Sequence, residues 1–72
     1  MPQAYTWQRG SNQQQYTLTV GKYQALVWYQ ATGEWAALIS RDHTAINTNF
    51  FATLIDAEVW CEASLAELQM KP

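Results

Sequence analysis

The stretch between Phe50 and Met70 is the one long helical pattern in this chain, and it restricts the fold more than any other feature. Thr53 is a residue type that caps helix N-termini, and Asp56, three positions later, completes a T-x-x-D variant of the capping box. We therefore predict a helix over residues 54–69. Its apolar or small side chains recur at the spacing of one helix face, namely Ala57, Trp60, Cys61, Ser64, Leu65 and Leu68.

Three segments upstream of the helix have the composition of β-strands. Residues 16–20 alternate between large apolar side chains and threonine, which is typical of a half-buried strand. Gly21 begins a two-residue turn of the type II′ kind, which leads into Tyr23–Tyr29. Both faces of that second segment are apolar, so we predict a central strand. Gly33 favours a turn before the third strand, residues 35–40.

Four further segments have weaker patterns. The pattern at residues 5–8 indicates an edge strand. Alternatively, residues 1–15 form a frayed terminus. Residues 41–43 and 47–49 have the composition of loops, and residues 44–46 between them suggest a short fourth strand.

Together these elements predict a single α+β domain over residues 1–72. It consists of a small antiparallel sheet of three to four strands, joined by hairpins and packed against one C-terminal helix. Which face of the sheet meets the helix stays open. The expected core comprises Leu18, Val20, Val27, Ile39, Phe51, Ala57, Trp60, Cys61, Leu65 and Leu68.

The charge balance disfavours some classes of protein. The chain carries four basic and six acidic side chains, a formal net charge of −2, whereas a dedicated nucleic-acid binder usually has a basic surplus. The single cysteine, Cys61, cannot form an internal disulfide. No signal-peptide pattern opens the chain, and no apolar run is long enough to cross a bilayer. We expect a cytoplasmic protein.

Few residues suggest chemistry. A thiolate at Cys61 with His43 could act as a nucleophile, but Cys61 lies mid-helix on the apolar stripe, where a structural role is expected. Asp42 beside His43 is more typical of a solvated loop than of an acid–base pair. Glu58 and Glu62 share a helix face, yet no further ligands complete a metal site. We expect no enzyme activity, no metal and no cofactor.

Aromatic side chains are the feature that indicates function. Four Trp, four Tyr and two Phe supply more apolar surface than one helix packed on one sheet face should absorb. Either the N-terminal segment covers the excess, or it forms an interaction surface for a protein partner or a second copy of the chain. The candidates for that surface are Trp28, Trp35 and Arg41. Single-stranded nucleic acid stacking on the aromatic rings is a further possibility, disfavoured by the charge.

The residues that lead into the helix form the pattern F-x-T-x-x-x-A-x-x-W, at Phe51, Thr53, Ala57 and Trp60. The pattern resembles the helix entry of the arm-type DNA-binding domains at the N-terminus of tyrosine recombinases. Those are modules of three strands and a helix in which the sheet enters the major groove. Residues 27–39 fit their hairpin. The resemblance implies a β-β-β-α fold and a DNA partner.

Residues 53–57 also form the pattern T-L-x-[DE]-A, with Leu65 in step. This is similar to the helix that follows the sheet in HicB-type antitoxins. It implies the same fold, and with the arm-type pattern it makes a nucleic-acid-binding module the alternative to a protein-interaction or accessory-subunit module.

Overall fold

The computed structural model of the chain describes residues 5–10 and 14–70. They form a five-stranded antiparallel sheet packed against one C-terminal helix, which confirms the predicted α+β class. The sheet has five strands where three to four were predicted, and its strands lie in sequence order. The elements are β1 (Gln8–Arg9), β2 (Gln15–Val20), β3 (Tyr23–Tyr29), β4 (Trp35–Arg41), β5 (Thr44–Phe51) and α1 (Leu54–Met70).

The first two predicted turns form where glycine permits them. Gly21 has a φ of 61° while Lys22 keeps a negative φ, as the two central positions of a type II′ hairpin require. Gly33 has a φ of 92°, and its N–H donates a 2.9 Å hydrogen bond to the carbonyl of Gln30. Local sequence therefore determines the β2–β3 and β3–β4 connections.

Strand β5 corrects the sequence prediction for residues 44–49. The loop expected at residues 47–49 belongs to an eight-residue strand that pairs with β4 at every position except Ile46, where the register shifts between Ile39 and Ser40. Asn47 and Asn49 indicated a loop because asparagine is depleted in strands and favours turns. Here their side-chain oxygens accept hydrogen bonds from the N–H groups of Thr48 and Phe50, at 3.0 and 2.8 Å. Pairing with β4 overrides the local preference.

Helix α1 begins at the predicted cap. The Oγ1 atom of Thr53 accepts a 3.2 Å hydrogen bond from the N–H of Asp56, so the capping residue satisfies one of the free donors of the first turn. The helix ends at Met70, one residue beyond the predicted end. In the described part of the chain, no helix has the length and apolar character needed to span a membrane.

The helix lies on one face of the sheet, and the strand register identifies that face. Ala25 lies opposite both Leu18 and Ile39, so these three side chains point to the same side. All three are buried against α1. The core cluster consists of Leu18, Ala25, Val27, Ala37, Ile39, Ala57, Cys61 and Leu65, with Val20, Phe51, Trp60 and Leu68 packed partly buried against it. These residues include every member of the predicted core.

The N-terminal segment docks on the helix side of the sheet. Strand β1 is limited to Gln8–Arg9, shorter and later than the predicted strand at residues 5–8. Tyr5 and Trp7 instead pack partly buried against the core. The indole Nε1 of Trp7 donates a 2.8 Å hydrogen bond to Oε2 of Glu62 on α1. Residues 1–4 and 11–13, which the prediction for residues 1–15 also covered, lie outside the described part of the chain.

Candidate functional site

The three residues predicted to form an interaction surface lie on different faces of the sheet. Trp28 pairs with Ala36 on the face that points away from α1. Trp35 pairs with Tyr29 on the helix side, and Arg41 lies on that same side opposite Tyr23. Because side chains alternate between the two faces of a strand, the structure separates Trp28 from the other two candidates.

Trp35 belongs to an aromatic cluster on the helix side. Its ring centroid lies 5.1 Å from that of Tyr29, in an edge-on arrangement, and 6.3 Å from that of Tyr16. Edge-on and tilted ring pairs at these distances stabilise the fold by more than the burial of their apolar area alone. Trp35 is also partly buried and packs against the core, so its role is in the fold of the monomer.

Arg41 lies at the end of β4, beside the turn to β5. Its guanidinium carbon is 5.8 Å from the centroid of the Tyr23 ring, and its Nε is 3.9 Å from a carboxylate oxygen of Asp42. Both the arginine and the aspartate side chains are largely exposed, so the ion pair contributes little to stability. Arg41 therefore stays with the helix side of the sheet, apart from Trp28.

The open face, defined as the side of the sheet opposite α1, is apolar at its centre. Leu26 lies opposite Leu38, and both are half-buried. In the adjacent register row, Ala36 lies between Trp28 and Phe50 and is fully buried. Phe50 keeps 50% of its surface exposed. No element of the described chain packs over this patch.

The strand positions that border the open face are polar and uncharged, whereas Lys22 and Asp42 of the adjoining turns line a hollow beside Gln24 and Ser40 at one end. By register, its other strand positions include Gln15, Thr17, Gln24, Ser40 and Thr48. A shallow hollow of about 320 Å³ beside Trp28 is lined by Gln14, Gln15, Leu26 and Tyr29. Among the described strand residues that point to this side, none is charged. Sequence reasoning missed Leu26, Leu38 and Phe50, although the alternation of Tyr23–Tyr29 already placed Leu26 with Trp28.

Cys61 has the surroundings of a structural residue. It is buried in the core cluster, and burial, followed by the nearby carboxylates of Glu58 and Glu62, raises the pKa of its thiol to about 12. A nucleophilic cysteine needs the opposite shift. His43, its proposed partner, lies in the turn between β4 and β5. The described residues contain no group of three or more His, Cys, Asp or Glu placed to hold a metal ion.

Asp42 and His43 form a tight turn. Their φ values are 50° and 68°, and they are the only described non-glycine residues with positive φ. Two successive positive φ angles in a two-residue hairpin are the signature of a type I′ turn, a conformation that favours Asn-Gly or Asp-Gly. The N–H of Asp42 also donates a 3.1 Å hydrogen bond to the carbonyl of Lys22, which ties this turn to the β2–β3 turn.

Glu58 and Glu62 lie one turn apart on the same flank of α1, and Glu62 contacts Trp7 of the N-terminal segment. Partial burial, and then the carboxylate of Glu62, raise the pKa of Glu58 above its ordinary value. Glu62 is oriented by the indole of Trp7. The two carboxylates therefore share one helix face, as their i, i+4 spacing predicted.

Comparison with models of known protein families, with curated proteins and with solved structures gives no match to this chain. Among the described residues, the open face of the sheet is apolar at its centre and has no covering element.

Proposed function

We propose that this protein is a small non-enzymatic protein-interaction module that associates with a second copy of itself through the open face of its sheet. The observation that supports this is the one-sided covering of the sheet. Helix α1 packs on the side of Leu18, Val27 and Ile39, while Leu26, Trp28, Leu38 and Phe50 occupy the other side with no described element above them.

An antiparallel sheet with one solvated face normally carries polar side chains there. Here the centre of that face holds two leucines and two aromatic residues. Such a patch is stabilised when a second apolar surface removes it from water, and two stacked sheets about 10 Å apart are a common way to do so. Trp28 is the natural anchor, since large aromatic side chains dominate interface energies.

The absence of charged side chains among the described strand positions of the open face favours a second copy as the partner. A two-fold symmetric interface brings each surface against itself, so any charge near the axis meets a like charge. The strand positions on this side carry only apolar, Gln, Ser and Thr side chains. At these strand positions, two copies placed face to face would bring no like charges together.

A nucleic-acid partner, the alternative raised by the sequence, receives less support from the positions of the cations. In the described residues, Arg9 and Arg41 occupy the helix side of the sheet, opposite Tyr16 and Tyr23, and Lys22 lies in a turn. The open face thus presents aromatic rings without the cations that phosphate neutralisation requires. The arm-type and antitoxin resemblances stay predictions.

Sedimentation velocity over a range of protein concentrations tests the proposal. We expect the wild type to show a concentration-dependent shift from monomer to dimer. Phe50→Glu places a charge on the open face and should leave a monomer. Val59→Glu, which adds the same charge at an exposed position on α1, should dimerise as the wild type does. A wild type that stays monomeric at all concentrations, or equal effects of the two substitutions, would contradict the proposal.

A parallel titration tests the alternative. Single- and double-stranded oligonucleotides are added at low salt while the intrinsic tryptophan fluorescence is followed. We expect no response. Binding that weakens steeply as salt rises would replace self-association with nucleic-acid recognition.

A further inference from the structure

Helix α1 is apolar on two opposite sides. One side is the stripe that packs on the sheet, centred on Ala57, Cys61 and Leu65. Surface helices of small domains normally place polar residues on the opposite side, whereas a helix that is apolar all round is normally buried. The composition of α1 is therefore unusual for a helix with one side in solvent.

The solvent side carries its own stripe at helical spacing. Its members, which we call the outer stripe, are Ile55, Val59, Ala63, Ala66 and Met70. They follow one another at i, i+4, i+8, i+11 and i+15, the spacing of one helix face. Ile55 is 71% exposed, Val59 58% and Met70 84%. The two alanines in the middle leave room for the backbone of another helix to approach closely.

The borders of the outer stripe are acidic on both sides. With 3.6 residues per turn, Glu58 and Glu62 lie on one border, and Asp56 and Glu67 lie on the other. Glu58 and Glu62 are half-buried, and Glu62 accepts a hydrogen bond from Trp7, whereas Asp56 and Glu67 are exposed. Within Leu54–Met70 there is no Lys or Arg. Four of the six acidic residues of the chain thus border this one stripe.

We infer that the outer stripe docks an amphipathic helix of a different protein, one whose apolar stripe is bordered by Lys or Arg. The arrangement matches that of paired helices, in which an apolar seam provides affinity and the charges beside it select the partner. This interface is separate from the open face of the sheet, and it goes beyond the proposed self-association because it needs a second kind of chain.

The same charges oppose the pairing of two copies through this surface. Whether two copies of α1 run parallel or antiparallel, the charged side chains of Leu54–Met70 on both borders of each seam would all be carboxylates. Like charges facing across a helix seam are destabilising, and interfaces use such repulsion to exclude wrong partners. The open face and the outer stripe therefore suit different partners. The strand positions of the open face are uncharged and fit a copy of the same face, whereas the outer stripe has acidic borders and fits a basic partner.

The experiment uses the full chain and two synthetic helical peptides of about three heptads each. Both peptides carry the same Leu and Ala seam; the first has Lys at the border positions and the second has Glu. Binding is measured by calorimetry at two salt concentrations. We expect the Lys-bordered peptide to bind and the Glu-bordered peptide to show no binding.

Two substitutions separate a specific seam from general attraction to an acidic surface. Val59→Gln removes an apolar side chain without changing the charge, in a residue type that favours helices. We expect it to weaken binding roughly tenfold. Glu58→Gln removes one border charge, and we expect roughly threefold weaker binding at low salt and a smaller effect at high salt. Leu26→Gln on the open face, a matched control, should leave peptide affinity unchanged.

Two results would overturn the inference. Equal affinity of the Lys-bordered peptide for the wild type and Val59→Gln would show charge attraction alone and overturn the inference. Loss of dimerisation in Val59→Gln would make the outer stripe the self-association surface and overturn it as well. Because Phe50→Glu tests the open face, failure of one proposal is distinguishable from failure of the other.

Discussion

The indole Nε1 of Trp7 lies 2.8 Å from Oε2 of Glu62, so the N-terminal segment is hydrogen-bonded to helix α1 across 55 positions of sequence. This bond, together with the packing of Tyr5 and Trp7 on the core, means that part of the aromatic excess is absorbed by the chain itself. In the described part of this segment, Tyr5 and Trp7 pack on the helix side of the sheet, away from the open face. The aromatic side chains that the described strands place on the open face are Trp28 and Phe50.

Trp7→Phe should destabilise the protein because it keeps most of the aromatic packing and removes the donor to a partly buried carboxylate. We expect the free energy of unfolding to fall by about 1 to 2 kcal/mol, the range for hydrogen bonds to charged groups. Urea denaturation of Trp7→Phe, Glu62→Ala and the double variant measures the coupling. Additive losses in the double variant would show that the bond contributes nothing to stability.

His43→Gly should stabilise the β4–β5 turn because it converts the sequence to Asp-Gly at a position with a φ of 68°. The expected gain in the free energy of unfolding is about 0.5 to 1 kcal/mol, the relief of left-handed strain less the entropy of glycine. Lys22→Gly is the matched control, since Lys22 has a negative φ and the same change there should destabilise. A gain at both positions would contradict the assignment of strain to His43.

The raised pKa of Cys61 predicts a thiol that reacts only when the protein opens. At pH 8 we expect labelling by a thiol reagent to be far slower in the native protein than in urea, because the pKa of about 12 leaves little thiolate. Equal labelling rates would exclude a buried Cys61.

The same shift predicts a pH dependence of stability. Because the pKa of Cys61 is higher in the folded than in the unfolded protein, the protonated thiol favours folding. This stabilisation is fully present at pH values below the pKa of the unfolded protein. That contribution is lost as the pH rises from about 9 toward 12. Cys61→Ala should therefore lose stability less steeply than the wild type in this window, as measured by denaturant titrations at each pH. Identical slopes would contradict the shift.

Glu58→Gln should raise stability at neutral pH. Burial and Glu62 raise the pKa of Glu58 in the folded protein, so the protonated carboxyl favours folding. This stabilisation is present at pH values below the pKa of the unfolded protein and is lost as the pH rises through the pKa of the folded protein. Removing one charge of an i, i+4 like-charged pair is expected to gain about 0.5 kcal/mol at pH 7 and nothing below pH 4. Thermal unfolding at both pH values measures the difference. A gain of equal size at both would rule out the electrostatic cause.

Trp28 and Trp35 should respond differently to the same substitution. Trp35→Thr removes a ring that contacts Tyr16, Tyr29 and the core, so we expect the monomer to lose about 2 to 3 kcal/mol. Trp28→Thr should act mainly on self-association, visible as an increase in the dimer Kd and a loss of concentration dependence in the unfolding midpoint. Chemical denaturation at low and high protein concentration separates the two effects. Equal effects on the monomer alone would contradict the roles assigned here.

Local chemistry made part of this fold predictable. The cap at Thr53, the turn at Gly21 and the alternation of residues 16–20 each act within a few residues, and each forms as expected. Strand β5 was missed because Asn47 and Asn49 indicate loops, and only the register with β4 makes them strand residues. Propensity cannot reveal a partner strand.

The site was less predictable because it depends on which face of the sheet each strand residue occupies. Residues 35–40 place Trp35 and Leu38 on opposite faces, but only the length of the turn before β4 decides which of them lies beside Trp28. The i, i+4, i+8 spacing of Ile55, Val59 and Ala63 indicates a second apolar face of the helix, which is the outer stripe. It was overlooked because the helix was assigned a single apolar side.

The most direct test of self-association is an isotope-filtered NOE experiment on an equimolar mixture of labelled and unlabelled protein, which detects only contacts between two copies. We predict intermolecular NOEs between the Trp28 ring and the methyl groups of Leu26 and Leu38. Intermolecular NOEs confined to Ile55 and Val59, or none at concentrations where the sedimentation shift is complete, would contradict association through the open face.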